Sequence, residues 1–275
     1  RAHTMPRLRR GYLAIAALYL GLALSLTSFH AFQINFGPKE TKREHRHNRI
    51  IDMADGRAPW AYRIAVPMAV EHPIEDVLSI AGVEKTEARE YGYLTVRFVA
   101  TWLTLLLSHA LIRRFTGDEL ALGGTLLVGA LHGPSTEHYW FQPASGPDHV
   151  LWLATALLTL TRRDRWLYPL VFLGAMNRET IVFAIPIYLA LRWGTEAWHR
   201  TLQRAVLLGF LWLIPFLWLR QVVHLRETVG PTVQEYAWRN LTDLEWQFYA
   251  FAFAGIWFLV PFLGWKHLSG ALRRL

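Results

Sequence analysis

Long uninterrupted apolar runs dominate the chain, at roughly 12–34, 93–112, 119–132, 149–161, 203–223 and 246–265, with a shorter pair at 166–176 and 180–192. Helices of soluble proteins carry an apolar stripe, whereas a run of ~20 apolar residues matches the ~30 Å hydrocarbon core of a bilayer. The pattern predicts an all-α polytopic membrane helix bundle of about eight spans, counting the short pair, in a single integral domain over 1–275. The pair is interrupted by Asn177-Arg178-Glu179-Thr180, which predicts two half-depth or strongly tilted helices meeting at a polar elbow. Non-helical backbone at that depth survives only where protein or a water-filled cavity covers it, so the elbow should line one.

Orientation follows from the basic clusters: Arg7/Arg9/Arg10, Arg113/Arg114, Arg162/Arg163/Arg165, Arg192 to Arg204, and Lys266/Arg273/Arg274. Cytoplasmic loops retain Lys and Arg near span ends. Placing every cluster inside gives a consistent in–out series with both termini cytoplasmic and with 36–92, 133–148 and 224–245 external. The first apolar run is too long for a signal-peptide core of ~7 to 15 residues, so it is expected to be a retained span. Within the first external segment, Ile74, Val77, Leu78 and Ile80/Ala81 recur at near-helical spacing among Glu75, Asp76, Glu84, Lys85 and Glu87, which predicts a helix on the membrane surface over 71–91.

Composition adds two exclusions. The net charge of +8 is absorbed by the topological anchors, leaving a nucleic-acid reading little to explain. With no cysteine, neither a disulfide framework nor a thiolate metal site is possible.

Candidate chemistry gathers at the outer ends of the spans. A charge at hydrocarbon depth costs ~2.5 to 3.5 kcal/mol even on the lenient insertion scale, so such groups normally face a protein-lined cavity. Arg63, Arg97, Asp148, Arg178 and Glu179 fall at the same ends of their runs and are expected to share one. A purely structural reading pairs them, for instance Arg97 with Asp148 or Glu179. Three arginines against few carboxylates suggest instead a cationic pocket for an anionic group, since the planar fork of arginine suits phosphate oxygens. Asp52 and Asp55 precede Gly56 and Pro59, breakers that allow a turn bringing the carboxylates to Tyr62 and Arg63.

Histidines offer weaker options. His45 and His47, with Asp52 or Asp55, form a possible divalent-metal set, although a His-x-His among Lys42, Arg43, Arg46 and Arg49 reads more simply as a solvated basic loop. A membrane haem needs histidines at matched depth, but His109 lies near an inner end while His132, His138 and His149 lie at outer ends. Ser135 and His138 lack the nucleophile turn of an intramembrane serine protease. Asn240-Leu241-Thr242 matches a glycosylation acceptor, a pattern short enough to arise by chance.

The first span with a cytoplasmic N-terminus, the long external loop with its acidic residues and surface helix, the block Gly56, Pro59, Tyr62, Arg63, Pro67, the aspartate opening a later span (Asp148) and the Arg178-Glu179 elbow together resemble the GT-C class of integral membrane glycosyltransferases. More narrowly, the chain resembles small bacterial GT-C-like proteins of surface-polysaccharide pathways. The resemblance implies a bacterial inner-membrane enzyme that takes a sugar from a polyprenyl-phosphate-linked donor and transfers it, with inversion, to a surface glycan or lipid acceptor. Asp52 or Asp55 would be the general base. Arg63, Arg97 or Arg178 would hold the lipid phosphate, with Tyr62, Asp148 and Glu179 in support. The chain departs from several families of the class in lacking adjacent acidic residues just after the first span, where 36–45 supply only Glu40 and Glu44. The rival reading is a transporter or flippase component, or a non-catalytic subunit of a membrane complex, because a broken helix with a polar elbow also builds transporter sites.

Overall fold

In the computed structural model the described residues are 5–35, 47–48, 50–52, 63–135 and 144–223, and all lie in one compact unit. Every element among them is helical: α1 (Met5–Asn35), α2 (Ala65–Ala69), a π-helical turn (Val70–Glu75), α3 (Asp76–Ile80), α4 (Lys85–Arg113), α5 (Asp118–Ser135), α6 (Ser145–Leu160), α7 (Leu167–Asn177), α8 (Ala184–Arg192) and α9 (Trp198–Val222). Short 3₁₀ segments, Asp164–Trp166 and Glu179–Phe183, precede α7 and α8. Among the described residues three stretches are long and apolar enough to cross a membrane: Gly11–Phe32, Lys85–Arg113 and Trp198–Val222. Helices α5, α6 and the α7/α8 pair occupy the other expected positions but are shorter, and the run 246–265 lies outside the described residues.

One boundary differs from the sequence expectation. The helix expected over 71–91 is broken at Ala81–Gly82, where Gly82 takes φ +86, a conformation open to glycine at no steric cost. Residues from Lys85 onward join α4, so the surface segment is α2, the π turn and α3 alone. Val77 and Ile80 stay exposed on it, at 63% and 86%, as a face meant for lipid would. The apolar spacing was read correctly as helical; the glycine that divides it was passed over.

Helix α4 is the hub, packing against α1, α5, α6 and the π turn. Tyr19 of α1 bonds His109 of α4, the inner-end histidine considered for haem, OH to Nδ1 at 2.8 Å. Close approach depends on glycine at Gly129 of α5, where a Cβ would stand 2.9 Å from Leu22 and 3.4 Å from Leu105. Small residues of this kind are how membrane helices pack, because lipid offers no hydrophobic drive to associate. Helices α7, α8 and α9 form a second core around Val171, Ile181, Tyr188 and Leu208. At its arginine-rich end Asp164 accepts from Arg192 and, at 2.6 Å, from Arg204, and Arg204 also reaches Glu196 at 3.2 Å. This clasp fixes the α7–α8 hairpin to the start of α9.

Candidate functional site

The polar elbow is built by the failure of one helix. After Asn177 the backbone swings to φ −160, ψ 135 at Arg178, ordinary extended geometry, and resumes as the 3₁₀ turn Glu179–Phe183. The turn is tied on both sides. Arg178 N–H donates to the Gly174 carbonyl at 2.8 Å, and the Trp212 indole of α9 donates to the Glu179 carbonyl at 3.0 Å.

The elbow thereby presents Asn177, Arg178 and Glu179 to the first turn of α6. Asn177 Nδ2 donates to the Ala144 carbonyl at 3.0 Å and to Asp148 Oδ1 at 2.8 Å, stapling the end of α7 to the start of α6. Arg178 Nη1 donates to the other oxygen of Asp148 at 2.9 Å. A carboxylate in the first turn of a helix also sits favourably in the dipole. Arg63, only 8% exposed, completes the group by donating to Glu179 Oε1 at 3.3 Å. Two arginines and two carboxylates therefore alternate, with Asp148 and Asn177 at 5% and 3% exposure.

The structure brings together, among the expected charges, Arg63, Asp148, Arg178 and Glu179. Arg97 is buried on α4, at 3% exposure, while Asp148 and Glu179 are taken by Arg178 and Arg63 rather than by it. The expected surplus of cations is not realised in these two pairs, which balance. Asp52 is exposed at the end of the short helical turn that contains Ile50. Ile50 shares a buried cluster with Ile64, next to Arg63, and Met176, next to Asn177, packs against that cluster, which anchors this segment near the elbow. Asp55, Tyr62 and His45 lie outside the described residues.

An apolar cavity of about 440 Å³ runs up to this cluster. Val66 and Ala69 of α2, Val99 and Ala100 of α4, Leu151 of α6 and Leu173 of α7 form its walls, and Pro147 and Asn177 close its polar end. Each closing residue is a chain neighbour of a charged one, Asp148 or Arg178. A hydrocarbon groove ending at an ionic cluster suits an amphiphile with an anionic head. Sequence reading found the charges but had no signal for the groove, whose wall is drawn from four helices.

A second cluster surrounds His47, which is buried rather than solvated as a basic loop would be. Its Nε2 lies 2.6 Å from Glu71 and its Nδ1 2.7 Å from the Tyr93 hydroxyl. Arg89 donates to Glu75 at 3.0 Å, to Glu71 at 3.3 Å and to Asn48 at 3.0 Å, while Lys85 reaches Glu75 at 3.2 Å. Burial lowers the His47 pKa, aided by the Arg89 charge, and outweighs its bond to Glu71. The imidazole is therefore neutral at pH 7, donating to Glu71 from Nε2. Burial on its own would raise Glu71, yet the His47 bond and the cationic neighbours prevail and hold it down to about 2.

The ligand atoms of His47, Glu71 and Glu75 all lie within 4.8 Å of one another, close enough to suit a divalent metal. The donor set does not call for one, because the Arg89 guanidinium already bridges both carboxylates and supplies the positive charge. Among the described residues the carboxylates beside His47 are Glu71 and Glu75, where the spacing predicts a surface helix, rather than Asp52. Glu71 and Glu75, four residues apart within the π turn, both reach Arg89.

Comparison with family models, with curated proteins and with solved structures finds no match. The geometry must carry the functional reading.

Proposed function

We propose that this chain is a membrane glycosyltransferase that uses a polyprenyl-phosphate-linked sugar at the external face of the membrane. In this reading the three long helices and the shorter α5, α6 and α7/α8 cross or enter the bilayer, both termini are cytoplasmic, and the elbow lies at the outer boundary of a bacterial inner membrane. The prenyl tail occupies the groove walled by Val66, Val99, Leu151 and Leu173, and the phosphate meets Arg63 and Arg178. The single observation that carries the reading is that the groove ends beside the buried Asp148–Asn177–Arg178 cluster.

The chemistry needs little more. Asp52 or Asp55 takes the proton of an acceptor hydroxyl as its oxygen attacks the anomeric carbon from the face opposite the phosphate. The bond from that carbon to the phosphate oxygen breaks, and the electron pair leaves on the polyprenyl phosphate, whose growing charge the arginines stabilise. Holding a membrane-dissolved donor beside the acceptor removes much of the entropic cost.

A second reading has its own observation. Because Arg178 and Arg63 are each already matched by a carboxylate, the cluster is also a self-sufficient clasp, as in a transporter component or a non-catalytic subunit. Sugar transfer and donor binding in nanodiscs, with a panel of polyprenyl-phosphate sugars, separate the two. The transferase reading expects Asp→Asn at the true base, 52 or 55, to lose ~10² to 10⁴ in rate with donor binding kept. Arg63→Lys should weaken donor binding because the bidentate fork is lost. A wild-type protein that binds none of the panel would leave the clasp reading in place.

A further inference from the structure

At the opposite end of α4 and α6 from the elbow cluster, ~18 Å along α6 by helix rise, lies a different groove of about 700 Å³. Leu107 and Ala110 of α4 face Ala154, Leu157 and Leu158 of α6 across it, and Arg113, Arg114, Thr161 and Arg163 stand at its rim. Arg113 is engaged, by an ion pair to Asp118 and by stacking 4.9 Å over the Tyr12 ring. Arg114 and Arg163 are exposed and enter no ion pair among the described residues.

The turn that delivers Arg163 is unusual. Arg163 N–H reaches back to the Leu158 carbonyl at 2.9 Å and Arg162 N–H to Thr159 at 3.2 Å, the bond pair of a Schellman helix end. Its left-handed position, normally glycine, holds Arg162 at φ 58, a conformation that disfavours a residue with Cβ. The helix therefore ends in consecutive arginines at a place where the backbone would prefer none.

We propose that this groove binds one anionic phospholipid, its phosphodiester between Arg114 and Arg163 and an acyl chain along Leu107, Ala110, Ala154 and Leu157. Charge complementarity names the occupant. The rim offers a phosphodiester two guanidinium groups that no carboxylate among the described residues compensates, and the wall offers hydrocarbon, which a soluble phosphate cannot use. Basic pockets between membrane helices at the arginine-rich side bind anionic headgroups on the same grounds, with each arginine near the surface contributing about a fivefold gain in affinity. This inference does not depend on the transferase reading.

The test is native mass spectrometry of the full chain in detergent, titrated with phosphatidylglycerol or phosphatidylcholine. The expected result is retention of phosphatidylglycerol, at least ~10-fold weaker phosphatidylcholine binding, and a ~25-fold loss for the Arg114→Gln/Arg163→Gln double variant. Arg200→Gln, an exposed arginine of α9 outside the groove, should bind as the wild type does. Ala154→Phe should block the acyl wall with both arginines intact. Since Arg114 and Arg163 are exposed, their variants fold even if Ala154→Phe does not. Equal binding of the two lipids, an unaffected double variant, or competition by inorganic phosphate as effective as by lipid would each overturn the proposal.

Discussion

Changing Asp148 to asparagine is the sharpest probe of whether the elbow cluster is desolvated. The substitution keeps shape and leaves one oxygen to accept from Asn177, now at 2.8 Å, but it turns an amide donor toward Arg178 Nη1, now at 2.9 Å. Breaking a fully buried pair costs ~3 to 5 kcal/mol because a charge is left uncompensated. The Arg178 side chain keeps 27% exposure, so water recovers part of this, and a loss of ~2 kcal/mol is expected, in the range of one hydrogen bond to a charged group. Arg178→Gln should cost more, ~3 kcal/mol, since the orphan is then Asp148 at 8% side-chain exposure.

The double variant restores an amide–amide pair and should cost less than the two losses added, giving a coupling of at least ~1.5 kcal/mol. Ordinary interhelical hydrogen bonds in membrane proteins couple by only ~0.6 kcal/mol on average, which sets the threshold. Equilibrium unfolding in mixed detergent, followed by tryptophan fluorescence and helical circular dichroism, measures the cycle. A coupling of ~0.6 kcal/mol or below would refute the reasoning, since Asp148 and Arg178 would then be hydrated neighbours rather than a buried pair.

Further outcomes follow from the same structure. Glu71 has its carboxyl depressed to about 2 in the fold, so its contribution is present above its unfolded value near ~4.3 and is lost as pH falls through that window; Glu71→Gln should flatten the acid limb of a stability–pH curve. His47, whose pKa is lowered in the fold, should cost stability as pH drops below ~6.5, because the unfolded chain takes the proton first; His47→Gln should remove that limb. At Gly174 a Cβ would stand 2.8 Å from Ile181 and 3.4 Å from Leu151, so Gly174→Ala should destabilise by ~1 to 3 kcal/mol. Gly123→Ala, where nothing lies within 4 Å, should instead gain ~0.5 to 1 kcal/mol, and equal signs in thermal melts would contradict the packing.

Much of this was legible in the sequence because membrane solvation is a strong constraint. A buried charge is so costly that Arg63, Arg97, Asp148, Arg178 and Glu179 could be expected to converge, and in the fold Arg63 meets Glu179 and Arg178 meets Asp148. The elbow was legible for the same reason, since Asn177 to Glu179 interrupt two runs too short to span. The partners within the cluster were not legible. The order of charges along the chain does not say which arginine Asp148 meets, and in the fold it is Arg178. Nor could spacing find the His47–Glu71–Arg89 clasp: Glu71 and Glu75 sit at an ordinary helical interval, and their partners His47 and Arg89 come from separate segments that only the fold brings together.

The cluster's own asymmetry indicates which arginine an anionic head would take. Asp148 is bound on both oxygens, by Asn177 at 2.8 Å and Arg178 at 2.9 Å, and its side chain is 8% exposed. Displacing it would orphan a buried carboxylate, which costs several kcal/mol. Glu179 holds Arg63 by one bond at 3.3 Å, and its side chain is 29% exposed, so it can turn to water at little cost. An incoming phosphate should therefore replace Glu179 on Arg63 and leave the Asp148–Arg178 pair standing as its support. Glu179→Gln then weakens the competitor and should tighten binding of a polyprenyl phosphate, whereas Asp148→Asn should weaken it by unseating Arg178. Binding titrations in nanodiscs read both. If Glu179→Gln weakens binding as much as Asp148→Asn does, the phosphate does not enter by exchange at Arg63.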